Sequence, residues 1–201
     1  QVARLAGMPP SVVARAREIL TGLETGDGLP GGKVAAAEVA ALGAPVATVT
    51  GDISDENVAR SLSETALARF GKIDILVNNA ANFTTAAVED ATVEQWRKVL
   101  DINVIGTALV AKHAIPALKA SGKCSIVNVS STSAIMAQHN FATYNTSKGA
   151  ILSMTICTAL DLAPFNVRVN SLCPGMVKTP LNRSVWQAWA DRQPAETRQD
   201  Y

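Results

Sequence analysis

Apolar and polar positions along the chain change period repeatedly. From about residue 46 onward, short apolar runs bounded by turn residues alternate with longer stretches whose apolar positions recur every three or four residues. The first signature belongs to strands and the second to helices. The pattern predicts a helix of small residues over 33–42, a strand over 46–50, a helix over 55–70 and a strand over 73–77. Helical stretches follow between 92 and 120, then a strand over 125–129, a helix over about 144–162 and a strand over 167–172. Strands alternating with helices imply an α/β fold with a parallel, doubly wound sheet. The beginning of the chain reads differently. Val12, Val13, Ala16, Ile19 and Leu20 keep helical spacing after the helix-starting Pro9, Pro10 and Ser11, and TGDGLPGG at 25–32 is a Gly-rich junction. The expected organisation is a helical appendage over 1–24, the junction over 25–32, and one α/β domain over 33–201 with an apolar-faced tail carrying Trp186 and Trp189.

Composition narrows the classes. With 201 residues, 48% of them apolar, the chain can bury the core of one domain, with or without an appendage. Its 18 basic and 17 acidic residues leave a formal net charge of +1 and no electrostatic footprint for nucleic acid or a membrane surface. A small neutral partner is compatible with that balance. Cys124, Cys157 and Cys173 are odd in number and lack metal-ligand spacing, and His113 and His139 have no partners at metal or triad spacing. No metal site is expected. Buried thiols point to a reducing compartment, and the most apolar stretch, 150–160, is interrupted by Ser153 and Thr155 and followed by Asp161, so a cytoplasmic protein without a membrane span is expected. Gln1 in first place reads as a processed or truncated start, or as a piece of something longer.

Chemistry enters with Tyr144 and Lys148. A phenol titrates near 10 and is a poor acid or base at neutral pH unless a cation stands beside it. Four residues make one helical turn, so Lys148 falls on the same face as Tyr144. A hydroxyl arriving from the end of the preceding strand, Ser130 or Ser131, can hold a substrate oxygen while the tyrosine moves a proton. This set suits carbonyl–alcohol redox chemistry.

Four segments carry a wider pattern: LVNNAA at 76–81, DINVIG at 101–106, CSIVNVSSTSAIMAQHNFATYNTSKGA at 124–150 and NVRVNSLCPGMVKTP at 166–180. In order and separation they resemble the short-chain dehydrogenase/reductase family, over about residues 31–181. The resemblance implies an NAD- or NADP-dependent oxidoreductase that interconverts an alcohol and a ketone by hydride transfer, on a Rossmann-like parallel sheet. It selects Ser131 to orient the substrate, Tyr144 as the acid/base, and Lys148 to bind the nicotinamide ribose and acidify the tyrosine. Asn103 would hold a water linking Lys148 to solvent. The implied cofactor contacts are Asp52 at the adenine, Asn78 and Ala80 at a strand end, Tyr144 and Lys148 themselves, and Pro174, Gly175, Val177 and Thr179 around the nicotinamide. Asp52 reads equally well as a helix N-cap, a task Ser54 or Asp55 could also perform. A homo-oligomer is compatible with the resemblance.

The same comparison marks gaps. The family's first strand, first helix and second strand have no counterpart in the pattern, nor has its last strand, so the sheet is expected to be incomplete. A literal phosphate-loop string at Thr21, Gly22, Gly26 and Gly28 follows a helical pattern rather than a strand, and Asp27 would face the phosphates. It is not taken as a working loop. With two strands gone, residues 46–50 are expected to close up against 73–77 and form a four-stranded sheet, or else the open edge is expected to aggregate. Residues 2–24 resemble the C-terminal helical segment of the mismatch-repair protein MutS, which makes a non-catalytic truncated or fused fragment with an interaction helix the rival reading.

Overall fold

The computed structural model describes Gly43 and residues 45–177. The chain divides into two units, and Ala47–Gly175 is the one that the described residues almost entirely make up. Its first helix, α1 (Glu56–Phe70), starts on Asp55, whose carboxylate accepts the Asn57 N–H at 2.8 Å, and ends on Gly71 at φ 77°, a left-handed turn that glycine adopts without strain. Strand β1 (Ile75–Asn78) leads to α2 (Val93–Leu100), opened by a reciprocal pair in which Thr92 caps the Gln95 N–H and Gln95 caps the Thr92 N–H. A π-helical turn, Asp101–Gly106, joins α2 to α3 (Thr107–Ser121). Strand β2 (Cys124–Val129), a short 3-10 turn at Thr132–Ala134, α4 (Ala142–Leu162) and β3 (Val167–Leu172) complete the unit.

The three strands form a parallel sheet in the order β1-β2-β3, with Ile75 opposite Ser125 and Cys124 opposite Val167. Period-two alternation puts Cys124, Ile126 and Asn128 of β2 inward, and Cys124 and Ile126 join Ala114, Leu118, Leu162, Val167 and Val169 in one core. The fold is Rossmann-like α/β. The continuous helical run Val93–Ser121 has the length and mean hydropathy, 1.2, of a membrane-crossing segment, in place of the 150–160 stretch singled out in the sequence. A third of that window is buried, and the run turns Val99, Asn103, Gly106, Val110, Ala114 and Leu118 inward.

One expectation fails. Residues 46–50 join no strand, and the sheet of the described residues has three strands rather than four. The reason lies at the other end of the segment: α1 packs on α3, and Ile53 presses against Gly106, where a Cβ would lie 2.7 Å from Ile53 Cγ1. The lead-in to α1 is thus tied to the turn before α3 and not to the edge of β1, and on one face of β1 Ile75 and Val77 are 66% and 56% exposed. Gly106→Ala should test that seat. A Cβ would also stand 3.3 Å from the Ile53 carbonyl carbon, so backbone as well as side chain must move. We expect a loss of about 1–2 kcal/mol by thermal unfolding, overpacking outweighing the better helix propensity of alanine; an unchanged midpoint would mean the contact yields freely.

Candidate active site

The site is built where β2 and β3 end. Beyond Val129, the Ser130 N–H donates to the Leu172 carbonyl at 2.8 Å and the Thr132 N–H to the Pro174 carbonyl at 2.9 Å, which extends the pairing of the two strands past the sheet proper. Ser131 is thereby held in extended backbone, and its hydroxyl accepts the Ser133 N–H at 3.1 Å. Tyr144 lies in the first turn of α4, with Lys148 one turn further on. Burial holds the Tyr144 phenol above its ordinary 10, and the nearby Ser131 hydroxyl offsets part of that rise.

Lys148 is 2% exposed, the largest fully buried side chain of the unit. Its Nζ donates to the Val129 carbonyl at 2.7 Å and sits 5.5 Å from the centre of the Tyr144 ring. Burial pushes the ammonium down to about 8, partly opposed by the neighbouring Cys173. Here the arrangement departs from the simplest expectation of an ammonium acidifying the phenol. Spacing put the two residues together, but the charge is aimed at a backbone carbonyl and over the ring, and the phenol is shifted upward.

Asn103 stands in the π-helical turn and is wholly buried. Its Oδ1 accepts the Asn82 N–H at 2.7 Å, while its Nδ2 donates to the Asn82 carbonyl at 2.8 Å and to the Ser147 hydroxyl at 2.9 Å. Both amide hydrogens are committed to protein, so a donor role toward water cannot fall to this side chain. Ser147, unnoticed in the sequence, donates in turn to the Tyr144 carbonyl at 2.7 Å and links Asn103 to the helix turn that carries the tyrosine.

Asn78, at the end of β1, turns inward. Its Nδ2 donates to Asn128 Oδ1 at 2.9 Å, and Asn128 Nδ2 donates to the Thr155 hydroxyl at 2.9 Å, a buried polar line from β1 through β2 to α4. Asn128 was also missed, although an Asn at an inward position of an alternating strand was a visible signal. Ala80 is exposed just past the carboxyl end of β1. Asp52 is exposed; its carboxylate takes the Ser54 N–H at 2.9 Å and hydroxyl at 2.7 Å, and those bonds lower its pKa. Asp55, not Asp52, caps α1. Pro174 is bound to the Ser131 turn and Gly175 follows it, exposed. Val177 belongs to the other unit, and Thr179, the 1–24 segment and the string at Thr21, Gly22, Gly26 and Gly28 lie outside the described residues.

Ser131, Tyr144 and Lys148 lie toward the carboxyl ends of the strands of a parallel sheet, the end at which ligands of open α/β sheets bind. Residues 29–190 match the short chain dehydrogenase family, and the chain belongs to it. It is 43% identical over 130 residues to trans-4-hydroxycyclohexanecarboxylate dehydrogenase of Sinomonas cyclohexanicum, covering 65% of this chain and 50% of that protein. It is 36% identical over 157 residues to cyclopentanol dehydrogenase of Comamonas testosteroni, covering 78% and 63%. Among solved structures, NAD+-bound xylitol dehydrogenase superposes with a TM-score of 0.73 at 33% identity, over 79% of this chain and 60% of that one. The chain thus spans about half the length of the first of these relatives and less than two thirds of the second.

Proposed function

We propose that this chain carries the proton-transfer half of an NAD- or NADP-dependent dehydrogenase that interconverts a small secondary alcohol and its ketone. The observation that carries the reading is a buried Lys148 whose Nζ lies 5.5 Å from the centre of the Tyr144 ring, with the Ser131 hydroxyl near enough to the phenol to influence its titration. In oxidation, Tyr144 as phenolate takes the hydroxyl proton while the carbon gives up its hydrogen with the electron pair; in reduction it returns the proton to the oxygen. Ser131 and Tyr144 hold that oxygen from two sides. The nicotinamide, when bound, supplies the hydride acceptor or donor.

The residues present fit its nicotinamide end. An ammonium has three N–H groups and Lys148 gives one to Val129, leaving donors for the ribose hydroxyls, while Pro174 and Gly175 lie beside the Ser131 turn. Ala80 lines the same end of the sheet; Asp52 would meet the adenine, Asn78 would act by fixing the end of β1, and Asn103, whose side-chain amide hydrogens are committed to protein, would hold through its other polar groups the water that links Lys148 to solvent. For the pyrophosphate, the sequence pattern ahead of α1 offers no strand followed by a Gly-rich turn and a helix, and weak cofactor binding is proposed on that pattern. The relatives named above act on a hydroxylated cyclohexane acid and on cyclopentanol, which favours a compact secondary alcohol as substrate. Of the three free cysteines only Cys124 is buried, Cys157 being exposed and Cys173 half-buried, so the expectation of buried thiols holds for one of them; free thiols still suit the proposed reducing, cytoplasmic setting.

The test is a fluorescence titration with NAD and NADP, followed by turnover on a panel of secondary alcohols across pH. Dissociation constants above the micromolar range and slow oxidation are expected. Because burial raises the phenol, the phenolate fraction and the oxidative rate should climb about tenfold per pH unit below its pKa. Tyr144→Phe should lower that rate by ~100-fold or more. A rate indifferent to this substitution overturns the assignment, and absence of both binding and turnover favours the non-catalytic fragment.

A further inference from the structure

The segment 82–86, NFTTA, crosses from the end of β1 to the start of α4, and no part of the proposed reaction uses it. It is fastened at alternate residues. Asn82 is held through both its backbone groups by Asn103, the Thr84 hydroxyl meets the Thr143 hydroxyl at 3.0 Å, and the Ala86 N–H donates to the Asn140 carbonyl at 2.8 Å. Asn140 is itself in left-handed backbone at φ 62°, which Asn tolerates, and this turns the chain so that Phe141 pairs with Ala86 in a parallel bridge.

Between those fastenings the strap presents Phe83. Its ring stacks on Phe141 with centroids 6.1 Å apart and planes 17° apart. Tyr144 stands edge-on to both, 6.3 Å from Phe83 at 77° and 6.2 Å from Phe141 at 76°. Stacked and edge-to-face pairs at these separations are mutually attractive, so the two phenylalanines constrain the plane of the tyrosine ring as well as excluding water from one side of it. We infer that segment 82–86 is a strap that fixes the Tyr144 ring, with Phe83 as its positioning residue and the Thr84–Thr143 pair setting its register.

This rests on Tyr144 being the working acid/base, yet it can be measured without turnover. The chain has two tyrosines, so in a full-length Tyr201→Phe background the ultraviolet phenolate titration reports Tyr144 alone. There the midpoint should lie above pH 10, and Phe83→Ala should bring it down by roughly half a unit or more as water reaches the phenol. Phe83→Leu, which keeps apolar bulk without a ring face, should give a smaller shift in the same direction and serves if the alanine variant fails to fold. Thr84→Val should shift it likewise by loosening the strap. An unchanged midpoint in a folded Phe83 variant, or an upward one, overturns the inference. A shifted midpoint with no turnover in any variant leaves the strap standing and removes the dehydrogenase reading; turnover that needs Tyr144, with a midpoint indifferent to Phe83, does the reverse.

Discussion

Lys148→Met is expected to stabilise the fold by about 2 kcal/mol at pH 7 while removing the ammonium from the site. The lysine is 2% exposed, and burial brings its pKa from 10.5 to about 8. That difference corresponds to ~3 kcal/mol of unfavourable burial of the charged form. Methionine fills much of the same volume without the charge, and it forfeits the 2.7 Å bond to Val129, worth about 1 kcal/mol. The sign with pH follows from the order of proton loss. Below about pH 8 the lysine is charged in both folded and unfolded chains and the full penalty is present; between about 8 and 10.5 the folded chain releases its proton first, so stability rises with pH. Tyr144 works in the opposite direction above 10, because its raised pKa keeps the proton on the folded chain longer, but it is common to both proteins. Urea midpoints of the two proteins at pH 7 and pH 9.5 should therefore differ widely and then converge. A methionine variant less stable than the parent at pH 7 would show that Lys148 is compensated by partners beyond Val129. Stabilisation on removal is the behaviour of a residue held in place for its chemistry.

Asn103→Asp should be the most damaging conservative change in the unit, costing ~3–5 kcal/mol by urea unfolding. The shape is kept and the hydrogen-bond pattern is inverted. An oxygen replaces the Nδ2 that donates to the Asn82 carbonyl and the Ser147 hydroxyl, so two acceptors would face it in a wholly buried position. The new carboxyl can recover a donor only by taking up a proton. Its folded-state pKa should rise above that of the unfolded chain, and the variant should lose stability as pH rises from about 4. Since Asn103 also fastens Asn82, the strap over Tyr144 should loosen with it, and the tyrosine titration should shift as it does in Phe83→Ala. A variant within about 1 kcal/mol of the parent would mean that the turn relaxes and the clamp is dispensable.

What could be read from the chain alone is what local chemistry determines. Strands expected at 73–77, 125–129 and 167–172 are found at Ile75–Asn78, Cys124–Val129 and Val167–Leu172, because runs of β-branched residues between turn residues admit little else. Helix 55–70 begins and ends within a residue of its predicted bounds, since a capping carboxylate and a C-terminal glycine are local devices. Tyr144 and Lys148 share a face by helical geometry, and Ser131 lies at a strand end. The run 46–50 is not a strand for the complementary reason: Val and Thr favour a strand only when another strand supplies the hydrogen bonds, and Ile53 is seated on Gly106 instead. The direction of the Lys148 ammonium, toward Val129 nineteen positions away, is equally nonlocal. So are Asn103 on Asn82, Asn78 on Asn128 and Phe83 on Phe141, contacts between residues 21, 50 and 58 positions apart. Periodicity and caps act over one or two turns of chain and can be read in one dimension. A buried hydrogen bond or ring contact is chosen by whichever distant group the packed fold brings within about 3 Å or one ring width, and only the tertiary structure decides which group that is.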